Sequence, residues 1–246
     1  MTTVQALVLY LIAHLLGDFY LQWQRLADLK NVARRGLLFH TLLYGLAYLP
    51  TLLVAKPSLP ALGVIIIGHG LIDWLKYSYL HRDDPKKKED KRVSREDPPW
   101  LFVLDQALHL LLIYLAARFW PGSGLQGWFP PQGFEALRWI LLLAMIGRPA
   151  NVSFKRIFTR YANYRSKTIT VEGAGSLIGF FERVFTVIFV YLGQYSALGF
   201  VMAAKSLARF KLLSEDQSFA EYYLIGTLYS ILFALLAYLL VFKLLV

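Results

Sequence analysis

Seven long apolar runs set the limits on what this chain can fold into. They lie near 3–22, 37–55, 60–80, 100–119, 135–147, 176–193 and 220–244, with a shorter run near 195–208. A helix rises about 1.5 Å per residue, so roughly 20 residues cross the ~30 Å hydrocarbon core of a bilayer. Most of the runs meet that length or fall modestly short. They predict an all-α, polytopic membrane helix bundle of seven or eight segments, with 195–208 either crossing or dipping in and out. Composition agrees: 57% of residues are hydrophobic and 17% charged, against about 45–50% and about 25% in soluble domains. No lysine or arginine precedes the first run and no small-residue cleavage site follows it, so it reads as a retained helix, not a signal peptide.

The chain has no cysteine, which excludes disulfides, thiolate metal sites and a catalytic thiol. Histidine, carboxylate and hydroxyl groups make up the reactive inventory. The net charge of +10 is concentrated in particular connections, which points to orientation and contact with anionic headgroups, not to nucleic acid. The first connection holds Arg25, Lys30, Arg34 and Arg35, the third a mixed run from Arg82 to Asp97, and the fifth Arg148, Lys155, Arg156, Arg160, Arg165 and Lys167. The alternating connections carry little more than Lys56 and Arg118, with Trp120 and Trp128 suited to an outer interfacial belt. These loops put odd connections in the cytoplasm and the N-terminus outside.

Four of the apolar stretches carry a histidine, and three of those carry an aspartate four positions away: His14/Asp18, His69/Asp73 and Asp105/His109, with His40 alone on the fourth. Residues four apart share a helix face. Helices one and three read histidine first, and helix four, running the other way, reads aspartate first. All three therefore place histidine deeper and aspartate nearer the cytoplasm. His40 falls at the aspartate level, and Tyr44, one turn on, at the histidine level; Gln22 and Lys76 continue the faces of helices one and three. The expectation is a four-helix core over residues 1–120 with two polar layers, followed by C-terminal helices over 121–246. AHLLGDFYL and GHGLIDWLK also resemble each other, which suggests two tandem helical hairpins about an axis along the membrane normal.

Ionisable groups inside apolar spans are costly unless they pair, bind an ion or line a wet cavity. Three aspartates would leave three buried negative charges, which a divalent cation and Lys76 would balance. Imidazole and carboxylate together suit zinc first, then iron or manganese. The candidate ligands are His14, Asp18, His40, His69, Asp73, Asp105 and His109, foremost His14, His69 and His109 with Asp18 or Asp105. Gln22, Tyr44 and Gln106 are candidates to support them. Asp73 or Asp105 would serve as base and Lys76 would stabilise negative charge. The competing reading is that each histidine only bonds its own aspartate and ties helices together. His81, in the charged loop, reads as a solvated residue. In the second half, Glu182 is expected to pair with a basic residue of another segment, while Arg183, Lys205 and Arg209 contact lipid headgroups.

The strings HLLGDFYLQ, FHTLLY, HGLIDWLK and LDQALHL, followed by IGFFERVF, AAKSLARF and AEYYLIGTLYS, resemble an uncharacterised bacterial polytopic membrane family, a domain of unknown function with HxxxDFxLQ, a lone histidine, HxxxDxxK and DQxxH. The resemblance implies a bacterial inner-membrane protein with a shared polar site, places Gln22, Lys76 and Gln106 within matched motifs, and implies no particular reaction. The residues themselves favour a metal-dependent membrane hydrolase acting on a lipid-linked or membrane-soluble substrate from the cytoplasmic half of the bilayer. A divalent-cation or proton-coupled transporter and a lipid-binding or structural membrane protein are the alternatives.

Overall fold

The computed structural model describes residues 1–81, 98–130, 132–158 and 173–245. The charged run at 82–97 and the basic residues Arg160, Arg165 and Lys167 lie outside the described residues. The described chain is helical apart from one short strand pair. In order it forms α1 (Thr3–Leu15), which continues through a π-helical turn (Leu16–Tyr20), then α2 (Gln24–Val32), α3 (Arg34–Leu46), α4 (Leu49–Val54), β1 (Ala55–Lys56), α5 (Leu59–Leu80), α6 (Pro99–Phe119), β2 (Gly124–Leu125) and α7 (Gly133–Ile146). There follow α8 (Arg148–Ile157), α9 (Ala174–Tyr191), α10 (Tyr195–Leu207), α11 (Phe210–Glu215) and α12 (Gln217–Leu239), which ends in a second π turn (Leu240–Leu244).

Six stretches among the described residues are long and apolar enough to span a bilayer: Thr3–Tyr20, Arg34–Val54, Leu59–Leu80, Pro99–Phe119, Ala174–Tyr191 and Gln217–Leu244. The protein is thus an all-α, multi-pass membrane bundle. The sequence suggested seven or eight segments, and the difference lies in α7 and α10. These have 14 and 13 residues, or about 20 Å of helix, short of a ~30 Å core. Gly147, with ψ of -119°, ends α7 immediately after Ile146. The surface agrees with a lipid environment: Leu38, Leu42, Ile67, Leu111 and Leu232 each have more than half their surface exposed, while His14, His40, His69 and His109 are buried.

The chain divides into two compact units, Met1–Ala144 and Met145–Val246. In the first, α1 is the most enclosed of the spans. Thr2 and Gln5 form a capping box at its start, satisfying two otherwise orphaned backbone donors. Prolines at the first turns of α4, α5 and α6 sit where a missing N–H costs nothing. One end of the unit is tied by β1 pairing antiparallel with β2, Ala55 opposite Leu125 and Lys56 opposite Gly124, and by the Met1 ammonium donating to the Gly122 carbonyl at 3.4 Å. At the other end, α1 widens into its π turn, where Leu21 N–H donates to the Leu16 carbonyl at 2.8 Å. A Cβ on Gly17 would lie 2.6 Å from Tyr44 Cδ2 and 3.2 Å from Tyr44 Cα. Only glycine lets α3 approach α1 this closely, and that approach brings His40 and Tyr44 onto the face of His14 and Asp18.

Candidate metal centre

The four polar motifs meet. Ring centroids of His14 and His109 are 5.7 Å apart, His14 and His69 6.4 Å, His69 and His109 4.4 Å, and His40 and His69 5.2 Å. Two layers are present. In one, Tyr44 stacks on His69 with ring centroids 3.5 Å apart and planes within 3°, and its hydroxyl lies 3.1 Å from His14 Nδ1. A buried hydroxyl chain continues from Tyr44 to Tyr48 at 2.9 Å, and Tyr48 donates to the Tyr10 carbonyl at 3.3 Å.

The other layer gathers the carboxylates and His40. His40 Nε2 lies 3.1 Å from Asp18 Oδ1, 3.1 Å from His69 Nε2 and 3.5 Å from Asp73 Oδ2. His69 Nε2 lies 3.6 Å from Asp18 Oδ1 and 3.3 Å from Asp73 Oδ2. These five contacts join two imidazole nitrogens and two carboxylate oxygens in one close set. When deprotonated, all four donors present lone pairs to one another. A cation between them relieves that, and so does an Nε2–H on each imidazole donating to a carboxylate.

The four donors closest to one another are not the set that spacing placed foremost: His40 is among them, while His14 and His109 stand in the neighbouring layer. Motif spacing fixes the face of each helix but not which imidazole edges turn toward each other. His14, Asp18 and His69 form a looser triad, and so do Asp73, Asp105 and His109, their potential ligand atoms lying within 4.8 Å of one another. Asp105 Oδ1 is 3.9 Å from His109 Nδ1. Buried atoms without a hydrogen-bonding partner among the described residues include His14 Nε2, both ring nitrogens of His109, Asp73 Oδ1, Asp105 Oδ1 and the Nδ1 atoms of His40 and His69. Each such atom costs about 1–3 kcal/mol unless something meets it.

Around the cluster, Lys76 Nζ contacts Asp105 Oδ2 at 3.3 Å, and the Gln106 amide donates to Asp105 Oδ2 at 3.4 Å and to Asp18 Oδ2 at 3.5 Å. Gln22 does not continue the α1 face. The π turn ends the helix, Gln22 falls in the break before α2, and it has no hydrogen-bonding partner in the cluster among the described residues. His81 is exposed and bonds the Tyr77 carbonyl at 2.8 Å, away from the site.

Lys30 was counted in the sequence only as a cytoplasmic charge. Its Nζ lies 2.7 Å from Asp73 Oδ2, with the two side chains 11% and 0% exposed. Helix α2 is the reason: Leu26 is 1% exposed, and Lys30, four residues on, shares its buried face. That Leu26/Lys30 spacing was the one available signal. Burial alone would lower the Lys30 pKa, but the carboxylates of Asp73, Asp18 and Asp105 outweigh it and hold the ammonium above the ordinary lysine range. Among the described residues three carboxylates thus face two ammonium groups, which leaves one negative charge in excess when the imidazoles are neutral.

In the second unit, Glu182 pairs with Lys205 as expected. Arg183 donates to the Ile146 carbonyl at 2.6 Å and to Asn151 Oδ1 at 2.7 Å, and Arg209 lies over the Phe219 ring at 6.0 Å.

A family model described as Protein of unknown function (DUF3307) matches residues 6–134, a stretch that takes in all four His/Asp motifs and stops short of IGFFERVF and the strings after it. No curated protein and no solved structure matches the chain. With the match covering more than half of the 246 residues, the chain belongs to this family of proteins of unknown function.

Proposed function

We propose that the protein is a metal-dependent membrane hydrolase acting on a lipid-linked or membrane-soluble substrate, with Asp18, His40, His69 and Asp73 holding one divalent ion, zinc before iron or manganese. The observation that carries this reading is the close set of four donors between apolar spans, joined by five contacts of 3.1–3.6 Å. A divalent ion there supplies Lewis-acid activation of water and of the scissile group. It also turns the pocket from one net negative charge to one net positive, a balance suited to an anionic ester. Asp105 and His109, whose Oδ1 and ring nitrogens have no hydrogen-bonding partner among the described residues, accept the proton of the attacking water and return it to the leaving oxygen. Lys76 orients Asp105 and steadies negative charge on the substrate. Gln106 holds Asp105 and Asp18 in one register. The basic connections support a site in the cytoplasmic half of a bacterial inner membrane, with the N-terminus outside.

Elemental analysis of the detergent-purified protein tests this. Wild type is expected to retain about one divalent ion per chain, and His40→Ala and His69→Ala to lose it while keeping wild-type helicity and monodispersity. Negligible metal in wild type and variants alike would overturn the reading. Metal that washes out of the wild type but crosses proteoliposome membranes would replace hydrolysis with transport.

A further inference from the structure

The buried hydroxyl chain beside the histidines has a fixed polarity. Its far end is the backbone carbonyl of Tyr10, which has no proton to give, so the Tyr48 hydroxyl donates to it at 3.3 Å. A hydroxyl has one proton to donate. With the Tyr48 proton on Tyr10, the 2.9 Å contact between Tyr48 and Tyr44 takes the proton of Tyr44. Tyr44 then has none for His14, and across their 3.1 Å contact His14 Nδ1 is the donor. Any other assignment sets two lone pairs against each other inside the bundle or leaves the Tyr10 link unmade. Tyr44 is held to this arrangement by its ring, stacked on His69 with centroids 3.5 Å apart, and by the close approach of α3 at Gly17.

A neutral imidazole carries one N–H, so a His14 protonated at Nδ1 presents a bare lone pair at Nε2. His14 is fully buried, and its Nε2 has no hydrogen-bonding partner among the described residues. The His109 ring lies near it, with its centroid 5.7 Å away, 1% exposed and likewise without a hydrogen-bonding partner at either nitrogen among the described residues. Asp105 Oδ1, 3.9 Å from His109 Nδ1, is beyond hydrogen-bonding reach. When neutral, His109 offers one N–H and one lone pair. A group that donates to His14 and accepts from His109 satisfies both rings. An ionised carboxylate or phosphate oxygen cannot donate and an ammonium cannot accept, whereas a hydroxyl does both with one oxygen.

We infer that the histidine layer is a binding subsite for one O–H group, supplied by an ordered water or by an alcohol of the bound substrate. His14 Nε2 is its acceptor and His109 its donor, and Tyr44 and Tyr48 are positioning residues that fix the His14 tautomer. The second His109 nitrogen keeps its lone pair for the proton of the attacking water. Only the substrate as a source rests on the hydrolase reading; the tautomer is read whether or not an ion is bound in the neighbouring layer, so the two stand or fall separately.

NMR of the ring nitrogens tests it, in full-length protein isotope-labelled at histidine, in detergent at about pH 8, above the ordinary imidazole pKa of about 6.5. Wild type should show a protonated Nδ1 and an unprotonated Nε2 at His14. Tyr48→Phe leaves both His14 contacts in place but frees the Tyr44 proton to turn to Nδ1, so the two nitrogens should exchange their protonated and unprotonated signals. Tyr44→Phe removes the Nδ1 partner and should leave both tautomers populated; it decides if Tyr48→Phe does not fold. Magnetisation transfer from water to the His14 ring would identify water as the O–H source. A shift of the Nε2 signal on adding dodecanol, but not dodecyl methyl ether, would identify an alcohol. A protonated Nε2 in wild type, an unchanged tautomer in a folded Tyr48→Phe, or an Nε2 that responds to neither water nor dodecanol would overturn the inference.

Discussion

Asp73→Ala is expected to destabilise the protein by about 3–5 kcal/mol, the usual cost of stripping one partner from a buried ion pair. The mutation leaves the Lys30 ammonium, 2.7 Å from Asp73 Oδ2 in the wild type, enclosed without its nearest counter-charge. In a chain of this length the loss corresponds to a fall in Tm of roughly 10 °C, readable by circular dichroism in detergent. Lys30→Met/Asp73→Ala should recover most of it, because the uncompensated charge goes too. The pH dependence has a definite sign. A lysine whose folded pKa is raised contributes stability that is fully present below its unfolded value and is lost only as pH rises through the folded one. The gap between wild type and Asp73→Ala should therefore stay flat from about pH 6 to 9, below the ordinary lysine pKa of about 10.4. A double variant no more stable than Asp73→Ala would show that Lys30 is not the group left stranded.

Gly36→Ala should cost about 1–3 kcal/mol through overpacking, although it touches no ligand. A Cβ at Gly36 would lie 2.5 Å from the carbonyl carbon and oxygen of Leu29 and 2.8 Å from Lys30 N. These are backbone atoms, so the end of α2 must move, and Lys30 moves with it. Ala33, extended at φ -136° and ψ 136°, provides the sharp turn that makes this contact obligatory. Because both variants act through Lys30, Gly36→Ala and Asp73→Ala combined should cost less than their sum. Gly63→Ala is the control: its Cβ would meet nothing within 4 Å, and helix propensity makes it neutral or slightly stabilising. Strict additivity of Gly36→Ala with Asp73→Ala would separate the α2 turn from the site.

Much of the architecture follows from local rules. Span length and apolarity specify helices in a bilayer irrespective of partners, and four-residue spacing fixes which side chains share a face. The two polar layers, the placement of His40 with the aspartates and the Glu182 pairing with a distant base were readable for that reason. Gln22 was misplaced because spacing arguments assume an unbroken helix, and the π turn at Leu16–Tyr20 ends α1 before it. The short helix α7 was read as a span because hydropathy alone does not mark where Gly147 stops a helix; α10, read as crossing or dipping in and out, has only 13 residues.

What the chain determines by itself is that imidazoles and carboxylates face inward from four apolar helices, since no other arrangement avoids exposing them to lipid. Which of them become neighbours was decided by tertiary approach. Gly17 admits α3 to contact, so His40 and His69 point their Nε2 atoms at Asp18 and Asp73 at 3.1–3.6 Å, and Gly36 seats α2, so Lys30 reaches Asp73. Ångström-scale distances between helices depend on how closely their backbones pack, and no periodicity within one helix encodes them.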